Sequence, residues 1–125
     1  MSSETAENGS VVEQAHTLRR LVDAAICELQ EAASGRLSPL EAVQAEAVRQ
    51  AAARLVECAE RVAADGLMVP GSLKQLRSHP LLAEERQLRQ AIGKQLSQLT
   101  FQVENRLSLE RLNAMTRQPP TEGGR

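Results

Sequence analysis

The sequence predicts an all-α protein. Its expected architecture is a long antiparallel helical hairpin with one or two further helices, and the protein is expected to be oligomeric. Its apolar residues are mostly Ala, Leu and Val, and it lacks the β-branched and aromatic runs typical of strands. These residues recur at alternating steps of three and four, as on one face of a helix. The only aromatic residue is Phe101. Because alanine-rich faces bury little area, an isolated bundle would be marginally stable, and we expect copies to complete one another's core.

The first predicted helix follows a polar segment, residues 1–10, that has no periodicity and is expected to be disordered. The helical domain spans residues 11–117. Its first helix ends at Ser34-Gly35, where glycine can adopt the left-handed conformation of a helix C-terminus. The apolar positions of this helix are Val11, Ala15, Leu18, Val22, Ala25, Leu29 and Ala32, widened by Leu21 and Ile26.

The second helix has a clear start signal. Ser38 and Glu41 have the spacing of a capping box, and Pro39 occupies the first helical position. Asp65-Gly66 ends the helix. Because the connection to helix one is short, the two helices should pair as an antiparallel hairpin. The predicted core positions are Val48, Ala52, Leu55, Ala59 and Val62.

The remainder contains a loop and one or two helices. Residues 66–80 include two Gly and two Pro and are predicted to be a long loop, of a kind that is often functional. The third helix follows His79-Pro80, with Leu81, Leu88, Ile92, Leu96 and Leu99 on its apolar face. Residues 101–115 are predicted as a shorter helix, whose separation from the third is left open, with Val103, Leu107, Leu112 and Met115 on one side. Residues 118–125 are predicted to be a flexible tail.

Enzymatic function is not predicted, because the necessary residues are missing. There is no glycine-rich phosphate loop, and neither His16 nor His79 has partners at metal-ligand spacing. For His79 a structural role at the start of helix three is favoured over ligand contact. Cys27 and Cys58 lack metal or redox spacing and are interpreted as reduced, packed thiols. We therefore predict no catalytic residue, no metal and no cofactor.

Charge is unevenly distributed along a chain whose net charge is -1. Residues 1–35 contain six acidic and two basic residues, whereas residues 66–100 contain two acidic and five basic residues. This polarity suits contact between copies or a basic face directed at phosphate, and ordinary solvation of helix surfaces is the alternative. The candidate DNA-binding residues are Lys74, Arg77, Arg86, Arg89 and Lys94, to which Arg106, Arg111 and Arg117 could add.

The cellular location is predicted to be the cytoplasm. The N-terminal segment is polar and acidic, unlike a signal peptide, and no segment approaches the ~20 apolar residues that span a bilayer. We expect no membrane association.

Residues 37–99 contain a series of short motifs. They are Leu-Ser-Pro at 37–39, Ala-Asp-Gly at 64–66 and, most specifically, the stretch 71–99. That stretch begins Gly-Ser, continues with Gln-x-Arg-x-His-Pro and Leu-Leu-Ala-Glu-Glu-Arg-Gln, and ends Lys-Gln-Leu-Ser-Gln-Leu. In these motifs residues 37–99 resemble the small subunit of phage terminase. Relatives often have Leu-Gly-Leu where this chain has Leu-Thr-Phe at 99–101, so a longer helix is expected here.

The resemblance implies a role in viral DNA packaging. Terminase small subunits form helical rings without catalytic chemistry, recognise viral double-stranded DNA and deliver it to the large terminase subunit. On this reading the candidate DNA-binding residues face DNA. The C-terminal Arg106, Arg111 and Arg117 would contact the large subunit, by analogy with the family. The competing hypothesis is a coiled-coil scaffold or protein-interaction module without a nucleic-acid role.

Overall fold

Three helices make up most of the structure, a computed structural model. It describes the backbone of residues 3–65, 68–70 and 76–117, and the side chains of residues 10–65 and 79–116. The helices are α1 (Ser3–Ala32), α2 (Pro39–Asp65) and α3 (Leu81–Arg117), and two short strands, β1 (Met68–Pro70) and β2 (Leu76–Ser78), connect α2 to α3. The predicted helical class is confirmed for the described part of the chain. The predicted tail, 118–125, lies outside it.

Helix α1 begins before the first residue of its apolar repeat, Val11. The sequence predicted an unstructured segment over residues 1–10, whereas the helix backbone extends back to Ser3. At the other end, Ser34 and Gly35 both have positive φ, 57° and 80°, and the Gly35 N–H donates to the Gln30 carbonyl at 2.6 Å. This six-to-one hydrogen bond satisfies a terminal carbonyl, as in a Schellman motif.

Helix α2 has the predicted bounds and the predicted cap. The Ser38 N–H donates to Glu41 Oε1 at 2.9 Å, and the Glu41 N–H donates to Ser38 Oγ at 3.2 Å. These reciprocal bonds satisfy two backbone donors at the start of the helix. All five predicted core positions of α2 are buried, at no more than 1% exposure.

The core lies where α2 packs against both other helices. Polar contacts also join α1 to α2: His16 Nε2 lies 3.4 Å from Glu60 Oε2, and Arg49 Nε lies 3.4 Å from Asp23 Oδ1. On α1 the side chain of Leu21, predicted to widen the apolar face, is 61% exposed. The largest fully buried side chains are Ile26, Leu55, Ile92, Leu99, Val22, Val48, Val62, Val103 and Cys58.

The segment predicted as a loop contains a two-stranded antiparallel ribbon. Met68 pairs with Ser78, and Pro70 pairs with Leu76. Beyond the ribbon, Asp65 Oδ2 and His79 Nε2 are 2.9 Å apart. The end of α2 and the start of α3 are therefore held together at the base of the ribbon.

Helix α3 is a single element of 37 residues, so the possible fourth helix is part of the third. The prediction that Val103, Leu107, Leu112 and Met115 share one apolar side is wrong beyond Leu107. Val103 is buried and Leu107 half-buried, but Leu112 and Met115 are 57% and 68% exposed. The step of five residues from Leu107 to Leu112 rotates the side chain by about 140°, away from the core.

The two cysteines differ in environment. Both are free thiols; Cys58 is buried, as predicted, but Cys27 is exposed on α1, contrary to prediction. Burial raises the pKa of the Cys58 thiol, and the negative charge of Glu84 adds to this effect. Among the described residues, no helix is both long enough and apolar enough to span a membrane.

Candidate functional site

The first candidate surface is the set of predicted DNA-binding residues. Three of them lie on α3 and have described side chains: Arg86, Arg89 and Lys94. Arg86 and Lys94 are exposed, and their spacing of eight residues separates them by about 12 Å along the helix. Arg89 is half-buried, and its Nε and Nη2 donate to Glu85 Oε1 at 3.2 and 3.1 Å. The charge of Arg89 is therefore partly neutralised within the helix, which leaves Arg86 and Lys94 as the more available cations of this set.

Three predicted site residues have no described side chain. Lys74 lies outside the described residues altogether. Arg77 lies in β2, opposite Val69, and Arg117 is the last residue of α3, but only their backbones are described. The DNA-binding roles of Lys74 and Arg77 and the partner-binding role of Arg117 stay predictions.

Arg106 holds α3 against the start of α2. Its Nε and Nη2 donate to the two carboxylate oxygens of Glu41 at 2.9 and 2.8 Å. Nη2 also donates to the Arg36 carbonyl at 3.3 Å, and Nη1 donates to Glu110 Oε2 at 2.8 Å. Arg106 was predicted to bind a partner, and in that role it would have to exchange these intramolecular acceptors for new ones.

The Glu41 carboxylate is buried, with its side chain 6% exposed. The hydrogen bonds from Arg106 lower the pKa of Glu41, burial opposes them, and the N–H of Ser38 adds to the lowering. Glu41 therefore serves both as part of the α2 cap and as the acceptor for α3. The capping motif predicted its first role, but no local signal predicted the second, which joins residues 65 positions apart.

A second ion pair joins α2 to α3 further along. Arg54 Nε and Nη2 donate to Glu84 Oε2 and Oε1 at 2.6 and 3.1 Å, and Arg54 Nη1 donates to Glu57 at 3.2 Å. The hydrogen bonds from Arg54 lower the pKa of Glu84. Both partners are more than a third exposed, so this pair contributes less to stability than the buried one.

His79 caps α3. Its Nδ1 accepts the N–H of Leu81 at 3.1 Å, and its carbonyl accepts the N–H of Leu82 at 3.0 Å. Since Nδ1 accepts, Nε2 must carry the proton that faces Asp65. This geometry agrees with the structural role favoured from the sequence.

The second candidate surface is the exposed side of α3 towards its C-terminal end. From Ser108 to Thr116 every side chain is exposed, although the helix is intact. In the C-terminal half of α3, four large apolar side chains are more than half exposed: Phe101, Leu109, Leu112 and Met115. Monomeric proteins seldom present such side chains together, so this surface indicates an interaction site.

The described surface has concave sites with charged and with uncharged linings; Gln44, Ala47, Gln95 and Gln98 line an uncharged one. One cavity of about 560 Å³ lies between α2 and the start of α3 and is lined by Arg54, Glu57, Glu60, Arg61, Ala64 and Leu81. Within the described residues no group of three His, Cys, Asp or Glu side chains could hold a metal ion. The expectation of a non-catalytic protein stays a prediction.

No protein-family model, curated protein or solved structure matches this chain.

Proposed function

We propose that this chain is a non-catalytic adaptor that acts as a homo-oligomer, and that it serves as a terminase small subunit. In this role it binds viral double-stranded DNA and the large terminase subunit. Its helices α1 and α2 would form the predicted antiparallel hairpin. The contacts of His16 with Glu60 and of Asp23 with Arg49 support it, because residue numbers fall along α2 as they rise along α1. The observation that carries the proposal is the exposed apolar side of α3, which gives a single copy a surface suited to burial by another protein.

The DNA-packaging part rests on the resemblance of residues 37–99 and on exposed positive charge on α3. Arg86 and Lys94 are exposed and can contact phosphate, whereas Arg89 forms an ion pair with Glu85. A modest basic set gains strength in an oligomer because each copy adds its own phosphate contacts. The proposed ring and its cytoplasmic location follow from the resemblance and from the sequence.

Duplex DNA binding, measured as a function of salt, tests this role. Replacing Arg86 and Lys94 together by Ala should weaken binding and reduce the slope of log affinity against log salt by about two. The matched control replaces Arg19 and Arg20, two exposed residues of α1, by Ala and should leave the slope unchanged. A wild-type protein that does not bind duplex DNA at low salt would contradict the packaging role.

The second candidate is a helical scaffold that does not bind nucleic acid. The pairing of Arg89 with Glu85 and of Arg106 with Glu41 favours it, because each pairing removes positive charge from the predicted basic set. An oligomer that ignores DNA at low salt would support this candidate.

A further inference from the structure

The outer side of α3 has the spacing of a coiled-coil seam. Positions 101, 105, 108, 112 and 115 follow one another at steps of four, three, four and three, the spacing of core positions in a heptad repeat. Phe101, Leu112 and Met115 occupy three of them, and Asn105 and Ser108 occupy the two between. All five side chains are exposed in the single chain.

This seam is distinct from the face that α3 uses within the bundle. Leu99 and Val103, which bracket Phe101 in sequence, are buried at 1% and 0% exposure. Phe101 lies about 160° around the helix from Val103, so one face packs on α2 while the other faces outward. The outward seam from Phe101 to Met115 is about 21 Å long. We propose that it pairs with the same seam of a second copy of this chain, in antiparallel orientation.

Antiparallel pairing can place two of the three apolar seam residues, Phe101 and Leu112, against each other. When Phe101 of one copy lies against Leu112 of the other, Gln98 lies against Met115 and Asn105 lies against Ser108. The two-fold axis then passes between residues 106 and 107, so each contact occurs twice, as in an isologous interface. The polar Asn105–Ser108 layers can hydrogen-bond to each other at the centre, where a polar core pair fixes register.

Charge selects the antiparallel orientation over the parallel one. In the register above, Glu104 of one copy flanks the seam opposite Arg111 of the other, again twice. Both side chains are exposed, and neither forms an ion pair among the described residues. In a parallel pair, Glu104 would instead face Leu109, and Arg111 would face Thr116, with no opposite charges matched. Complementary charge is therefore the reason to assign this seam to a second copy.

This inference rests on the homo-oligomeric part of the proposed function and does not require DNA binding. Sedimentation equilibrium of the full chain tests it. We expect dimers or larger assemblies built from dimers, and we expect Phe101→Glu and Leu112→Glu each to raise the dissociation constant at least about thirtyfold. The matched control is Leu21→Glu, an equally exposed apolar position on α1, which should change it by less than about threefold. Far-ultraviolet circular dichroism checks that the variants remain helical.

Charge reversal tests the register. Glu104→Arg alone and Arg111→Glu alone should each weaken pairing, by about fivefold to tenfold, because each creates two like-charge contacts. The double variant restores opposite charges and should return to within about threefold of wild type. Single variants that pair as tightly as wild type, or a double variant that shows no recovery, would overturn this register.

Disulfide trapping tests the orientation. In a chain carrying Cys27→Ser, with Cys58 buried, Gln98→Cys and Met115→Cys are introduced into separate samples. Antiparallel pairing predicts a disulfide-linked dimer only when the two samples are mixed, whereas parallel pairing predicts one from Gln98→Cys alone. If the mass of the assembly were unchanged by Phe101→Glu and by Leu112→Glu, the α3 pairing alone would be overturned. A monomer at every concentration would overturn the proposed function as well.

Discussion

The guanidinium of Arg106 donates to both carboxylate oxygens of Glu41, at 2.9 and 2.8 Å, and so joins the middle of α3 to the first turn of α2. The same carboxylate accepts the N–H of Ser38 in the capping box. One buried carboxylate therefore caps the start of α2 and also fixes the position of α3 against it.

Removing the guanidinium should destabilise the fold strongly. Arg106→Ala leaves a buried carboxylate without its partner, and we expect a loss of about 2–3 kcal/mol in the free energy of unfolding. Arg106 keeps 28% exposure, so this value is below that of a fully buried pair. Urea unfolding measures the loss. The control Arg111→Ala, exposed on the same helix, should change stability by less than about 0.5 kcal/mol, and an equal loss in both variants would contradict the role of the ion pair.

The same carboxylate should make stability depend on acid. The pKa of Glu41 is lower in the folded chain than its ordinary value of 4.5, so the unfolded chain binds the proton more readily. Its contribution is complete at neutral pH and is lost as the pH falls below about 4.5 and through the folded pKa. Glu41→Gln should reduce stability at pH 7 and flatten this acid dependence. Parallel stability curves for the two proteins between pH 7 and pH 3 would contradict it.

Replacing His79 should loosen the junction between α2 and α3. His79→Ala removes the acceptor for the Leu81 N–H and the contact with Asp65, at an expected cost of about 1–2 kcal/mol. His79→Asn can still cap the helix and should recover about half of that loss. Asp65→Ala should cost less than His79→Ala, because it leaves the cap in place. Thermal unfolding of the three variants measures these losses. A His79→Asn variant no more stable than His79→Ala would contradict the capping role.

The two thiols should react at very different rates in the folded protein. Cys27 is exposed, whereas Cys58 is buried and its pKa is raised, so Cys58 has little reactive thiolate at neutral pH. With a thiol-specific chromogenic reagent we expect one fast equivalent, and the second only on unfolding. Cys27→Ser should abolish the fast phase. Two fast equivalents in the native protein would show that Cys58 is accessible.

Features encoded by neighbouring residues were predictable from the sequence. The bounds of α2 follow from the Ser38–Glu41 box and from Asp65-Gly66, and its core positions follow from helical spacing. The continuity of α3 was only partly predictable: Leu99-Thr100-Phe101 contains no helix breaker, but the apolar pattern changes face after Leu107. The sequence therefore left open whether residues 101–115 form a separate helix, and the structure shows one continuous helix.

Features that depend on packing between helices were not predictable. The Arg106–Glu41 contact joins residues 65 positions apart and exists only because α3 packs on α2 in one register. The outward exposure of Leu112 and Met115 also depends on packing, because the sequence pattern had placed them on the same side as Val103, which meets the core. The heptad spacing of the outer seam was a usable signal once that face was known.

The mass of the wild-type assembly in solution, measured by sedimentation equilibrium over a wide concentration range, tests homo-oligomerisation most directly. The exposed side of α3 predicts an assembly with an even number of copies, which Phe101→Glu disrupts and Leu21→Glu does not. A stable single chain at all concentrations would contradict it.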